Sequence, residues 1–236
     1  MRKIFQFPFG SRVYNTYGPN SDFDFREVFV LPLEEYFSPG PRKTSSVRTE
    51  VFNGNSYSYY GWEMTHFLGL LFKSIPNAVE FNSSHINAFN AKKEYVEIGQ
   101  DIIAFKDTVF CPNRYLKAQT GNLFNLRKQY LDNKEDVLTK KYVEAMRLIK
   151  RIKQVYNEED FKIEFVPETE DENYVLSLKR SGVEFVKKRK SIEAEIEKYC
   201  KKDFVDDIDK SFAKEELSMA YLNEFCLGVL RKVYAF

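Results

Sequence analysis

The sequence predicts an α+β fold, with a small β-sheet core in the N-terminal half and a helical C-terminal half. Two early runs, at residues 4–9 and 22–31, are rich in the Phe and Val residues that favour strands. From residue 135 onwards, apolar residues recur at helical spacing instead. Because 236 residues suffice for two small domains, we predict a core over 1–132 and a helical region over 133–236 that packs on it.

Turn residues and apolar periodicity predict the elements in chain order. In the N-terminal half the expected elements are a strand at 4–9, a helical turn at 12–15, a loop at 15–21, a strand at 22–31, a flexible loop at 36–46, a strand or hairpin at 47–60 and a helix at 62–74. The pattern is mixed from there to about residue 132. Beyond it we expect a helix at 135–156, an extended segment at 161–166, an acidic loop at 167–173 and helices at 184–202 and 214–233.

The composition narrows the class of protein. Lys and Arg number 36 and Asp and Glu 35, so the chain lacks the strongly basic balance of a dedicated nucleic-acid binder, although a local basic face is compatible with it. Three cysteines without paired spacing support neither a disulfide framework nor a zinc site. No apolar run approaches the ~20 residues that cross a bilayer. We therefore expect a cytoplasmic protein with no membrane segment.

Two acidic residues, Asp22 and Asp24, open the second predicted strand. Since side chains alternate along a strand, both carboxylates are expected on one face, ~7 Å apart, with Phe23 and Phe25 pointing the other way into a core. Neighbouring carboxylates repel each other. A hard dication such as Mg²⁺ removes that conflict, because it prefers carboxylate and phosphate oxygens.

A glycine–serine pair precedes this strand. Gly10 allows the backbone to come close to a ligand, and Ser11 offers a hydroxyl and an N–H to phosphate. A D-x-D pair alone, or a G-S pair alone, is weak evidence for a site. The order strand, G-S, short helix and S-D-x-D on a second strand is much more specific, and it favours a metal site at Asp22 and Asp24.

The segment that carries these residues resembles a known family. Residues 10–32 read GSRVYNTYGPNSDFDFREVFVLP. They are similar to the signature GSxxxGTxxxxSDxDxRGVFV of the RNA-repair-associated predicted nucleotidyltransferases, a polymerase-β superfamily group of bacteria and their phages. Residues 62–80 resemble that family's YELRKFLxLxLKxNPxxxE helix and loop. Shorter similarities follow at YLKAQ (115–119), in a KxxxHxxRL-like helix containing Lys140 and Arg147, and at LKRSG (178–182).

The resemblance implies a small mixed β-sheet, polymerase-β-like core. It also implies in-line attack of a hydroxyl on the α-phosphate of a nucleoside triphosphate, with Mg²⁺ or Mn²⁺ as cofactor. Asp22 and Asp24 would be the catalytic and metal-binding residues. The residues implied in nucleotide binding are Gly10, Ser11, Arg12, Lys140 and Arg147. Without the resemblance, the last two are more typical of a solvated helix face. The acceptor is RNA, protein or a small molecule.

The chain is a divergent member on this comparison. The family supplies a third carboxylate from the strand before the second block, and the corresponding residue is Ser58. Glu50 has the same strand parity as Ser58 if no bulge intervenes near Gly54, and Glu63 matches a glutamate of the family's helix. Another carboxylate therefore serves, the alignment slips, or catalysis is weakened or lost. Glu144 and Asn15 also replace the family's His and Gly.

Two functions are compatible with these observations. The first is an enzyme that moves a nucleoside monophosphate to a hydroxyl acceptor. The second is a catalytically impaired protein that keeps the nucleotide pocket and acts as a binding or regulatory module.

Overall fold

A computed structural model describes residues 1–12, 21–80, 87–88, 93–131, 135–157, 182–212 and 217–234. The described residues form two compact units. Unit 1 contains those within Met1–Phe110 and Glu216–Phe236, and unit 2 those within Cys111–Lys162 and Val166–Glu215. The division of the chain at residue 132 stays a prediction.

Unit 1 is built on a mixed five-stranded sheet. Its strands are β1 (Arg2–Phe9), β2 (Phe23–Val30), β3 (Ser45–Phe52), β4 (Asn55–Glu63) and the short β5 (Asn87–Ala88), in the order β3-β4-β2-β1-β5. β2 runs parallel to β4, and the β1–β2, β3–β4 and β1–β5 pairs are antiparallel. Gly10–Arg12 forms a single 3₁₀ turn after β1. The mixed sheet predicted for the N-terminal half is confirmed.

The hairpin of β3 and β4 follows directly from its turn residues. Asn53 and Gly54 are the two loop residues, with φ of 50° and 76°. Positive φ at both positions is the geometry that an Asn-Gly turn favours, because it matches the twist of the flanking strands. The turn sets Phe52 opposite Asn55, and this register runs to Ser45 opposite Trp62. The hairpin expected over 47–60 is confirmed.

One face of the sheet is covered by a helix. The described residues of unit 1 form five helices: α1 (Leu33–Phe37), α2 (Met64–Phe72), α3 (Pro76–Val79), α4 (Lys93–Val109) and α9 (Met219–Tyr234). Phe67 of α2 is fully buried, and its ring centroid lies 5.6 Å from Trp62 and 6.1 Å from Phe5. Phe7 follows at 6.3 Å. These aromatic side chains form a packed core between the helix and the sheet.

The last helix of the chain, α9, contacts the edge of the sheet in unit 1 where β1 begins and β2 ends. The Arg2 guanidinium donates to the Val233 carbonyl at 2.6 Å, and the Tyr234 hydroxyl donates to the Leu31 carbonyl. Lys232 pairs with Asp101 of α4 at 2.5 Å. The C-terminal helix therefore belongs to the same unit as the first strand.

Unit 2 is helical in its described residues. It contains α5 (Pro112–Leu131), α6 (Glu135–Asn157), α7 (Gly182–Tyr199) and α8 (Lys202–Ser211). The apolar stripe predicted for α6 comprises Tyr142, Ala145, Ile149, Ile152 and Tyr156. Its first four residues are at most 1% exposed, and Tyr156 is half-buried. None of the described helices, in either unit, has the length and apolar character to cross a membrane.

Some elements differ from the sequence-based expectation. A short helix, α1, precedes the loop predicted at 36–46, and β3 already begins at Ser45. The helices α4 and α5 fill the stretch where the pattern was mixed, and α8 was not expected at all. Its sequence KDFVDDIDKS places Phe204, Val205 and Ile208 on one helical face, a short periodic pattern that was not used in the prediction. The predicted features at 161–166 and 167–173 and most of the 15–21 loop lie outside the described residues.

Candidate active site

Asp24 lies in a row of residues that runs across four strands of unit 1. It pairs with Phe9 of β1 on one side and with Ser58 of β4 on the other, and Ser58 pairs with Thr49 of β3. Residues in register on adjacent strands lie about 4.8 Å apart and project from the same face. The carboxylate of Asp24 and the hydroxyls of Ser58 and Thr49 therefore share one face of the sheet, the one that carries Phe7 and Trp62 further along.

Gly10 lies directly against the Asp24 carboxylate. Its φ is +71°, in the region that favours glycine. A Cβ at this position would stand 2.3 Å from Oδ2 of Asp24 and 3.0 Å from its Cγ, so a side chain there would displace the carboxylate. Ser11 is half-buried in the 3₁₀ turn, and Arg12 ends that turn with its side chain outside the described residues. The structure thus brings Gly10 and Ser11 next to Asp24.

Asp22 is exposed and comes immediately before the first residue of β2. Asp24 is half-buried within the strand. The pairing of β2 with β4 begins at Phe23 opposite Tyr57 and therefore fixes the direction of the Asp24 side chain. Asp22 precedes the paired residues, so the pairing does not fix the direction of its side chain. The two acidic residues therefore differ in burial: Asp22 is exposed just before the strand, and Asp24 is half-buried within it.

Arg26 is a site residue that the sequence reasoning did not single out. It lies two residues after Asp24 on the same strand, so both side chains are on one face, ~7 Å apart along the backbone. Its guanidinium carbon is 4.0 Å from the ring centroid of Phe9, 4.6 Å from that of Tyr60 and 5.1 Å from that of Trp62. The signal was present in the motif SDFDFR, where the same alternation that pairs the aspartates adds the arginine.

The opposite face of the same strands carries stacked aromatic pairs. Phe23 stacks on Tyr57 at 4.8 Å, and Phe25 stacks on Tyr59 at 5.4 Å, each pair in register on β2 and β4. These side chains are half-buried. The predicted alternation of Asp24 and the two phenylalanines is confirmed, but the phenylalanines form a cross-strand ladder at the sheet surface more than a closed core.

The two predicted helix cations belong to unit 2. Arg147 is half-buried on α6, and Lys140 lies on the same helix with its side chain outside the described residues. Both flank the buried stripe that includes Ala145 and Ile149. Their part in nucleotide binding stays a prediction.

The residues present fit a hard dication in part. Asp22 and Asp24 would supply carboxylate oxygens, and Ser58 would supply a neutral hydroxyl in the row of Asp24. Mg²⁺ keeps several water or phosphate ligands and needs only one or two carboxylates from the protein. In the described part of the chain, no group of three or more His, Cys, Asp or Glu side chains is arranged to hold a metal. A donor set of two carboxylates suits a metal that arrives with a polyphosphate.

Comparison with protein families decides where the chain belongs. Residues 1–224 match the family described as RlaP, RNA repair pathway DNA polymerase beta family. The chain belongs to this family. It is therefore a polymerase-β family nucleotidyltransferase linked to RNA repair, and the family implies a nucleotide substrate. The resemblance inferred from the sequence is confirmed. No curated protein matches the chain.

The residue that the resemblance aligns with the family's third carboxylate has a defined place in the sheet. Ser58, which the motif comparison placed there, is the residue in register with Asp24 on the neighbouring strand. Serine is neutral at physiological pH and does not accept a proton from an attacking hydroxyl in the way a carboxylate does. If the motif alignment holds, the row therefore has a neutral hydroxyl where the family has a carboxylate.

Glu50 does not replace the missing carboxylate, contrary to the parity considered from the sequence. The two-residue turn pairs Thr49 with Ser58 and Glu50 with Tyr57, so the Glu50 side chain lies on the opposite face of the sheet. There it forms an ion pair with Arg48, whose guanidinium also bonds to Glu27 at 2.7 Å. Parity counted along the chain fails here because the two-residue loop pairs odd-numbered residues of β3 with even-numbered residues of β4.

Glu63 caps the N-terminus of α2 instead. It is 2% exposed and lies at the N-cap of α2, where its carboxylate accepts the His66 backbone N–H at 3.0 Å and the Thr65 hydroxyl at 2.5 Å. The Tyr36 hydroxyl donates to the same carboxylate. Burial, with this hydrogen bond, raises the pKa of Tyr36 far above its usual range. Glu63 follows Ser58 by five residues, ~17 Å along the strand and on the opposite face. It cannot share a metal with Asp24.

Proposed function

We propose that this polymerase-β family member transfers a nucleoside monophosphate from a nucleoside triphosphate to a hydroxyl acceptor. The observation that supports the proposal is the placement of Asp24 beside the Gly10 turn, in a chain that matches the family over residues 1–224. Because the family is linked to RNA repair, an RNA end is the first acceptor to test. Protein and small-molecule hydroxyls are the other acceptors.

In the proposed step the acceptor oxygen bonds to the α-phosphorus as the bond from that phosphorus to the bridging β-phosphate oxygen breaks. Pyrophosphate leaves with the electron pair, and the hydroxyl proton passes to water, since Ser58 is a poor base. Backbone N–H groups of the Gly10–Arg12 turn hold phosphate oxygens. Asp22 and Asp24 would hold Mg²⁺ or Mn²⁺, which supplies charge stabilisation for the attacking and leaving oxygens when bound. Arg12, Lys140 and Arg147 are further candidates for neutralising phosphate charge.

The direct test replaces the aspartates with isosteric amides. We expect Asp22→Asn and Asp24→Asn each to lower label transfer from an α-labelled triphosphate by ~100-fold or more, because a metal ligand is lost at the reacting phosphate. Asp107→Asn is the matched control, since Asp107 is an exposed aspartate of α4. Circular dichroism and melting temperature establish that each variant is folded. Undiminished transfer in both site variants would rule out the proposed role.

A second function, nucleotide binding without turnover, is favoured by Ser58 in register with Asp24. In that case the wild-type protein binds triphosphate with Mg²⁺ and releases no pyrophosphate with RNA, protein or small-molecule acceptors. Substituting Ser58→Asp would restore a carboxylate about 4.8 Å across the strand pair from Asp24. We then expect pyrophosphate release to appear at a measurable rate, because a positioned base typically contributes ~10²- to 10⁴-fold.

The control for this gain is Thr49→Asp. Thr49 lies in the same row but one strand further from Asp24, so it adds the same charge to the same face without the adjacency. A rise with Ser58→Asp and none with Thr49→Asp supports the binding-module function for the natural chain. Steady pyrophosphate production by the wild-type protein excludes it.

A further inference from the structure

A pocket in unit 1 lies at the other end of the sheet from Asp24. It encloses about 740 Å³, within the ~300–1,000 Å³ typical of small-molecule sites. Residues of α1 and α9 form most of its lining, with Thr65 of α2 and Arg42. Its wall residue Tyr234 bonds to the carbonyl of Leu31, seven positions after Asp24 and so ~23 Å along the chain. The pocket is therefore distinct from the candidate active site.

The walls of the pocket are mainly aliphatic. The apolar lining residues are Leu33, Phe37, Leu222, Leu227 and Leu230. Three of them also form an exposed apolar mouth, since Phe37 is 81%, Leu227 54% and Leu33 43% exposed. Apolar residues exposed together around a concavity mark a binding site more often than an ordinary surface.

Most polar groups of the lining already have partners. The hydroxyls of Tyr36 and Thr65 donate to Glu63, and the hydroxyl of Tyr234 donates to the Leu31 carbonyl. These residues therefore present rings and methyl groups to the pocket more than hydrogen-bonding groups. The polar side chains left for a ligand are Asn223 and the two arginines.

Arg42 and Arg231 give the pocket a positive charge. The lining contains no carboxylate, and neither arginine forms an ion pair with another described residue. The Arg42 guanidinium lies 5.7 Å from the centroid of the Tyr36 ring. An apolar cavity bordered by two cations favours a ligand with an apolar body and an anionic end.

We propose that this pocket binds a single-chain amphiphile with an anionic head group, the chain lying among the leucines and the head group contacting Arg42 and Arg231. The family match ends at residue 224, before Cys226, Leu227, Leu230 and Arg231 of the lining. The proposal does not depend on nucleotidyl transfer.

The test uses three probes of equal chain length, namely decanoate, decanol and decyltrimethylammonium, below their micelle concentrations. Calorimetric titration of the full chain is expected to give one decanoate per protein, with decanol at least ten-fold weaker and the cationic probe without measurable binding. Equal affinity for the three probes, or no binding of decanoate, overturns the proposal.

The alkylation of two cysteines shows where decanoate binds. Cys226 lines the pocket and Cys200 lies in unit 2, and burial raises the pKa of each thiol to about 11. Alkylation of each thiol, with and without decanoate, is followed by mass spectrometry. Saturating decanoate is expected to slow alkylation of Cys226 at least five-fold and to leave that of Cys200 unchanged. Equal protection of both thiols would show non-specific adsorption and refute the site.

Variants then test the head-group contact. Arg42→Gln and Arg231→Gln are each expected to weaken decanoate binding five- to ten-fold and to leave decanol binding unchanged. Lys232→Gln is the control, because Lys232 follows Arg231 in α9 but pairs with Asp101 and does not line the pocket. If the control weakens decanoate binding as much as the arginine variants, the effect is one of overall charge and the proposal fails.

Discussion

At the scale of single residues, the candidate site combines a carboxylate, a glycine and an arginine that is surrounded by aromatic rings. Asp24 and Arg26 project from one face of β2, and Gly10 leaves the space that the carboxylate occupies. The planar guanidinium of Arg26 faces three aromatic rings, which orients it more firmly than a lysine ammonium would be oriented. A positive charge held near the Asp24 carboxylate suits the binding of a polyphosphate that arrives with a bound metal.

The aromatic cage predicts a stability effect at Arg26. We expect Arg26→Gln to lower the free energy of unfolding by about 1–2 kcal/mol, since cation–π contacts contribute roughly 0.5–1 kcal/mol each when partly exposed. Arg26→Lys keeps the charge and should lose about half as much. Urea denaturation measures both. Arg42→Gln is the comparison, because Arg42 faces one ring at 5.7 Å. A loss with Arg26→Gln no larger than with Arg42→Gln would contradict the cage.

At the scale of elements, a turn and a cap determine which acidic residues reach the site. The Asn53-Gly54 turn fixes the register of β3 on β4 and so turns Glu50 to the far face. The start of α2 engages Glu63 as its cap. Two of the carboxylates closest in sequence to Ser58 are thereby committed to ion pairing or capping, and neither is available to a metal beside Asp24.

The capping role of Glu63 predicts a clear separation of stability from ligand binding. Glu63→Gln is expected to lower the free energy of unfolding by roughly 1–3 kcal/mol, because a buried charged acceptor of three hydrogen bonds is lost. The affinity for triphosphate with Mg²⁺ should stay within about two-fold. A double-mutant cycle with Tyr36→Phe is expected to show coupling of roughly 0.5–3 kcal/mol. Loss of metal-dependent nucleotide binding in a folded Glu63→Gln protein would mean that this carboxylate serves the site.

At the scale of the whole molecule, charge is balanced and much of it is paired within each unit. Lys117 bonds to Asp209 at 2.6 Å in unit 2, and Lys232 bonds to Asp101 at 2.5 Å in unit 1. Partly exposed pairs of this kind contribute little to stability, at most about 1 kcal/mol each. Burial of the two cores therefore dominates, and a bound ligand adds a measurable increment.

Nucleotide binding is accordingly visible in the melting temperature. At a triphosphate concentration of about 100 times Kd with Mg²⁺, stability should rise by about 2.7 kcal/mol, or roughly 5 to 10 °C for a chain of this size. Removing the metal with EDTA should abolish the shift, as should Asp24→Asn. Differential scanning fluorimetry measures it. A shift of equal size in EDTA would separate nucleotide binding from the metal and contradict the proposed role of the aspartates.

Several features were predictable because they depend on neighbours in the chain. The β2 strand, the hairpin at Asn53-Gly54 and the buried stripe of α6 follow from alternation, turn chemistry and helical period. The α+β class and the family follow from the same local patterns, above all from GS and SDFD in order. Local rules hold here because each side chain's direction is set by residues only a few positions away.

The tertiary structure decided what depends on partners distant in sequence. That Ser58 stands beside Asp24, that Glu50 faces away and that Arg26 lies among three rings all require the pairing of separate strands. Likewise, α9 contacts the first strand and forms a pocket with α1, which no local sequence pattern predicts. Sequence alone determined the family, because the motif is contiguous. Spatial neighbours determined which side chains can take part, because register and packing act across the chain.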